Sequence, residues 1–225
     1  MTETPSLAAP LALNHVGITV PDIFGAIEWY GAVFGFNCIM GPRLLEAEAA
    51  ENQETAHVLG PCFRRAYQAH LLTANGAGLE LFQFVDPPVS APEGRIVYER
   101  PGPWHLCFTH PNVDAIVARI VAAKGCHHAG PFAFVPGRPW RLAYCFDPWS
   151  NTIEIMSHTY AEVFSNWPQP GMTSPPRMII TADPKQGVQD VPTIEKRRIL
   201  FAAWAYFCQG LRDLGKANST MSNRD

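Results

Sequence analysis

Four residues in the sequence have the types and spacing needed to hold a metal ion. His15 opens NHVGITVPD, Glu80 lies in GAGLELFQF, His105 lies in WHLCFTHPN and Glu154 lies in SNTIEIMSH. Side chains on a strand alternate between faces. Val16, Ile18 and Val20 form an apolar row that puts His15 on the other face with Gly17 and Thr19. Leu106 and Phe108 do the same for His105, Leu79 and Leu81 for Glu80, and Ile153 and Ile155 for Glu154. Two imidazoles and two carboxylates on polar faces, if they converge, suit one divalent first-row ion per chain: Ni, Co, Mn, Fe or Zn. The set contains no thiolate, which disfavours a soft ion.

These residues recur because the chain repeats itself. Residues 14–35 match 104–125 at an offset of 90, pairing His15 with His105, Pro21 with Pro111 and Gly35 with Gly125. Each segment reads as a strand, a Pro turn and a helix, with Asp22 or Asn112 as N-cap and the glycine as C-cap. Residues 76–84 match 150–158 at an offset of 74, pairing Glu80 with Glu154. The first half therefore carries about 16 extra residues, placed by this reading at 41–66, where LLEAEAAENQET suggests a short helix. Each half reads as βαβββ. Two such units can cover each other's sheets around a common cavity.

The expected fold is α+β, with paired βαβββ modules at about 13–85 and 104–158 forming a half-open barrel over 13–160. Residues 1–12 are read as an N-terminal arm and 161–225 as a Pro-rich arm followed by a C-terminal helix. Six prolines fall between 165 and 192. From Thr193, Ile194, Phe201, Ala205, Cys208 and Leu211 recur at helical spacing.

The strands NHVGITVPDI, GLELFQF, WHLCFTHPNVD and DPWSNTIEIMSH resemble the four ligand-bearing strands of the vicinal oxygen chelate superfamily. That superfamily includes glyoxalase I, methylmalonyl-CoA epimerase, extradiol dioxygenases and bleomycin-resistance proteins. The resemblance covers about residues 13–160. It implies a metal that chelates two vicinal oxygens, with the ligand positions falling on His15, Glu80, His105 and Glu154. The His-Glu-His-Glu order is similar to bacterial-type glyoxalase I and close to the epimerases. It implies a lyase or isomerase working by proton transfer, with Glu154 as first choice of base and Glu80 as second. A ring-cleaving Fe(II) or Mn(II) oxygenase and a ligand-sequestering binding protein are the alternatives.

Other residues are candidates for substrate contact. His158 shares parity with Glu154, Tyr144 is the repeat partner of His70, and Arg138 and Arg141 flank PGRPWR, where an arginine can grip an anion. Phe82, Phe84 and Trp104 are candidates for an apolar wall. Cys107 is read as packing, and the six cysteines as reduced, mostly buried thiols.

Composition sets the remaining bounds. Apolar residues make up 47% and charged residues 16%, with net charge -3, so the chain can build a core and lacks the basic stripe of a nucleic-acid binder. The longest apolar run, 199–208, is too short to span a bilayer. No signal-peptide pattern opens the sequence, so a cytoplasmic location is expected. The expected partners are a small-molecule substrate and a second copy of the chain, with no nucleic acid and no membrane.

Overall fold

The computed structural model describes residues 11–90, 96, 98–99 and 101–164. The proposed helix from Thr193 and the Pro-rich arm lie outside the described residues, as does most of the N-terminal arm.

The chain is α+β, built from two βαβββ modules, as the repeat predicts. The first contains β1 (His15–Thr19), α1 (Ile23–Phe34), β2 (Asn37–Glu46), a 3-10 turn (Ala50–Asn52), α2 (Gln53–Leu59), β3 (Arg65–Leu72) and β4 (Gly78–Asp86). The second contains β5 (Leu106–Thr109), α3 (Val113–Ala122), β6 (Cys126–Ala133), β7 (Arg141–Phe146) and β8 (Thr152–Met156), followed by α4 (Tyr160–Phe164). The sheets have the orders β1-β4-β3-β2 and β5-β8-β7-β6. In each, the first strand runs parallel to the last and the other pairings are antiparallel.

The helix starts follow the sequence. Asp22 Oδ1 accepts from Gly25 N at 3.0 Å and Asn112 Oδ1 from Ala115 N at 3.0 Å, satisfying N–H groups that have no partner in the helix. The helix ends differ between modules. Gly35 closes α1 in the left-handed region at φ 73. In module 2 that conformation belongs to Lys124, at φ 67. Gly125 is needed for another reason: a Cβ there would come within 2.7 Å of Phe146 O and 2.5 Å of Ile120 Cγ2. The shared glycine thus marks a C-cap once and a close backbone approach once.

The extra residues of module 1 form a helix later than expected. Residues 44–46 belong to β2, paired with 65–67 of β3, and α2 begins at Gln53. Strand pairing overrides the helical propensity of LLEAEA. Leu59 and Ala56 then pack on buried Leu45, Phe63 and Ala66, as do Phe82 and Phe84. By strand parity Phe82 and Phe84 share a face with Glu80, so the insertion sits over the polar face of sheet 1.

The opposite faces of both sheets meet α1 and α3 in one core. Leu79, Leu81, Ile153 and Ile155 are buried there with Tyr30, Val33, Ile116 and Ile120. Truncating a buried aliphatic to Ala in such a core costs about 2–5 kcal/mol. Polar contacts lock the modules together. Trp29 Nε1 donates to Ala123 O at 2.8 Å, at the end of α3, and Arg119 Nη1 donates to Val33 O at 2.9 Å, at the end of α1. Tyr30 Oη donates to Asp147 Oδ2 at 3.0 Å.

Candidate metal centre

The strand registers build two similar constellations. In sheet 1, Glu80 stands opposite Gly17 on β1 and His70 on β3. In sheet 2, Glu154 stands opposite Cys107 on β5 and Tyr144 on β7. Residues directly opposite share a face, so each carboxylate projects with the group beside it.

His15 Nδ1 lies 2.7 Å from Asn14 Oδ1, which turns Nε2 toward Glu80 Oε2 at 3.6 Å. His70 Nε2 approaches Glu80 Oε1 at 3.5 Å. The same oxygen accepts from Gln68 Nε2 at 2.7 Å, and Gln68 Oε1 accepts from Arg43 Nε at 2.9 Å. A chain of donors therefore runs from Arg43 through a buried amide to the carboxylate.

The second constellation is tighter. His105 immediately precedes β5, with Nε2 3.0 Å from Glu154 Oε2. Its ring packs edge-on against Trp104 and Tyr144, whose rings stack 6.1 Å apart. Glu154 is only 7% exposed. Loss of hydration, then the charge of Glu154 and a hydrogen bond to it, push the Cys107 thiol up to about 12. The same three causes hold the Tyr144 phenol well above its usual range. Both groups are therefore protonated donors to Glu154 near neutral pH.

The fit of these residues to a divalent ion can be tested on distances. Two ligand atoms bound at ~2.1 Å and at right angles lie about 3.0 Å apart. The His105–Glu154 separation is 3.0 Å and that of His15–Glu80 is 3.6 Å, slightly wider. His105 Nδ1 is buried without a hydrogen-bond partner. The ring is therefore positioned by packing and by its other nitrogen, the one facing the carboxylate. Taken singly, each His–Glu pair has the donor types, and a spacing close to that, which the ion expected from the sequence needs.

Within one chain the four residues form two pairs. Among the described residues, no group of three or more His, Cys, Asp or Glu could hold a metal ion. Inside a single chain the structure therefore brings the four together only two by two.

The substrate-contact candidates divide. Tyr144 lies on the polar face beside Glu154. Arg141 does not: it shares parity with Ala143 and Cys145 on the helix side, and its Nη1 and Nη2 bond Asp114 of α3 at 2.5 and 3.2 Å. Arg138 lies over the Trp140 ring at 5.2 Å. His158 lies past the end of β8, where its Nδ1 is 2.8 Å from Ser157 Oγ. Cys38, Cys62 and Cys126 are exposed free thiols, against the expectation of burial; Cys107 is exposed as a residue while its thiol lies sheltered against Glu154, and Cys145 is buried. Sequence reading missed Gln68 and Arg43. Gln68 lies two residues before His70 and so shares its face. Gly41-Pro42 just before Arg43 recurs as Gly130-Pro131, a repeat signal inside what was read as loop. Both glycines have φ 89, and a Cβ on either would meet a β3 or β7 carbonyl within 2.7 Å.

No curated protein matches the chain. A glyoxalase family protein from Bacillus cereus has a similar structure at 20% identity, TM-score 0.55, over 68% of this chain and 97% of that one. A glyoxalase/dioxygenase from Nostoc punctiforme matches at 24% identity, TM-score 0.45, over 68% and 97%. A fosfomycin resistance protein from Listeria monocytogenes, complexed with Mn(II) and sulfate, matches at 14% identity, TM-score 0.44, over 68% and 96%. The family model of the Glyoxalase/Bleomycin resistance protein/Dioxygenase superfamily matches residues 12–155, which spans both modules and both His–Glu pairs, and the chain belongs to that superfamily.

Proposed function

We propose that this protein is a metal-dependent lyase or isomerase, glyoxalase-I-like or epimerase-like, that moves a proton on a small molecule chelated through two vicinal oxygens. The observation that supports it most is the repeated His–Glu pair on the polar face of each sheet, with Nε2 turned to the carboxylate both times. We place the enzyme in the cytoplasm.

Each pair is half a site in this reading. His15 and Glu80 of one copy, with His105 and Glu154 of another, would hold one Ni, Co, Mn, Fe or Zn ion. The exposed apolar residues support a homodimer. Met40 pairs with His70 and Phe132 with Leu142, so both lie on the polar faces, and they are 39% and 51% exposed. A second copy would cover them.

When bound, the ion would polarise a substrate oxygen and favour loss of the neighbouring proton. Glu154 is the first choice to receive that proton and Glu80 the second. Tyr144 and Cys107 orient Glu154 by donating to it, and Tyr144 with Trp104 supplies a flat wall. Gln68 orients Glu80, and Arg43 fixes the Gln68 amide.

A mixing experiment tests the shared site. His15→Ala and His105→Ala each remove one half-site ligand, so each variant alone should lose most of its metal. Co-expressed, random pairing makes half the dimers mixed, and each mixed dimer carries one intact site. Metal content should then recover to about a quarter of the wild-type level. Stoichiometric metal in both single variants, or a monomer by light scattering, would refute the assignment.

A further inference from the structure

The geometry points to a second binding region: an apolar chamber at the far end of the sheet 1 polar face that accepts a neutral aromatic or aliphatic group. Its volume is about 670 Å³, within the range of small-molecule sites. Thr19 and Phe84 line it from the sheet, Leu59 and Phe63 from the insertion, and Pro21 and Trp149 from the loops. By strand parity Thr19 and Phe84 share the face of His15 and Glu80. Thr19 lies four residues along β1 from His15, roughly 13 Å at strand rise.

Three observations define the occupant. Among the described residues, none that lines the chamber is charged, so an ion entering it would lose hydration without a counter-charge from them. On the β7–β8 turn the Asn151 donors are turned away from the chamber, since its N and Nδ2 donate to buried Asp147 at 2.7 and 2.8 Å. Trp149 N donates to the same carboxylate at 2.9 Å, which fixes the turn that carries the indole. Phe84 stacks on Phe82 with an interplanar angle of 12°, continuing an aromatic surface toward Glu80.

The insertion, which module 2 lacks, builds one wall of this region. Leu59 and Phe63 lie in the extra segment, and the core beneath them, Leu45 and Ala66, is buried. The segment is thus a fixed wall, and its apolar residues face a space that a ligand of one or two rings would fill. In a working enzyme the apolar part of a substrate would lie here while its oxygens reach the polar pairs.

The test uses the full chain in EDTA, so that it does not depend on the metal assignment. The probe is 2-naphthol, with naphthalene-2-sulfonate as the anionic control, followed by calorimetry. Saturable binding of about one naphthol per chain is expected, with the sulfonate at least about tenfold weaker. Val89 also lines the chamber, and Thr19→Phe and Val89→Phe, which put bulk into it, should each weaken naphthol about tenfold or more while thermal melts stay close to wild type. Glu80→Gln and His15→Ala should leave binding within about twofold. Absence of saturable binding, equal affinity for the sulfonate, or unchanged affinity in both bulky variants would overturn the inference. A negative result here leaves the metal-mixing outcome unaffected, and the reverse also holds.

Discussion

The two modules carry one pattern and surround it differently. Glu80 has nitrogen groups about it: two imidazoles and the Gln68 amide backed by Arg43. Glu154 has one imidazole, a phenol and a thiol. Duplication preserves the position of a carboxylate, because strand register sets it. The neighbouring position is free to differ, and His70 and Tyr144 fill the same place with different chemistry. The first module surrounds its carboxylate with nitrogen groups, whereas the second adds a phenol and a thiol whose protons are held tightly. The two carboxylates should therefore have unequal roles.

The largest expected effect is on turnover. Glu154→Gln should lower proton-transfer turnover by roughly 10²–10⁴ while weakening metal binding less, and Glu80→Gln should show the reverse balance. Anaerobic turnover in deuterated water, with deuterium followed into substrate or product, reads the chemistry, and elemental analysis reads the metal. Equal effects of the two substitutions would break the comparison. Strict oxygen dependence without solvent exchange would replace proton transfer with an oxygenase.

A smaller difference is expected in stability. Thr73 and Asp147 follow β3 and β7 at equivalent repeat positions. Thr73 Oγ1 makes local bonds to Ala77 O and Asn75 Oδ1. Asp147 is 3% exposed and gathers Tyr30, Trp149 and Asn151 from two modules. Asp147→Ala should cost about 2–4 kcal/mol because buried donors lose their acceptor, and Thr73→Ala about 1 kcal/mol or less. Urea unfolding measures both. Burial raises the Asp147 carboxyl above its ordinary value despite these bonds. A raised folded-state value means that the folded form holds the proton more tightly. This group therefore weakens the fold as pH rises from the ordinary carboxylate range through its raised value, and Asp147→Asn should flatten that part of the pH–stability curve.

The smallest effect sharpens the picture of Glu154. With its thiol pushed up to about 12, Cys107 is almost wholly protonated at pH 8. Its alkylation by iodoacetamide should be about tenfold or more slower than that of exposed Cys38, Cys62 and Cys126. Glu154→Gln removes the charge that opposes the thiolate and should speed it. Equal rates at all four thiols would show that Cys107 does not sense the carboxylate.

The sequence made the fold legible where one physical rule governed a position. Alternation put His15, Glu80 and Glu154 opposite aliphatic rows, and the caps at Asp22 and Asn112 marked helix starts. It failed where two rules compete. Gly125 satisfied the C-cap pattern, yet close packing on Phe146 and Ile120 required it. LLEAEA has helical propensity, yet an available β3 edge draws residues 44–46 into a strand. Arg141 could be placed on a strand, but only its pairing with Asp114 fixes the side it serves. The chain's own repeat could not show that its two His–Glu pairs stay apart, because tertiary packing decides that.

The crossed bonds between helix ends have a mechanical consequence. Trp29 closes the carbonyl end of α3, and Arg119 closes that of α1. Each module thereby completes the other's backbone, and sliding one past the other would expose carbonyls at both ends at once. The pair should behave as a single stiff beam rather than as two lobes on a hinge. Access to the polar faces must then come from loops or from the α2 segment.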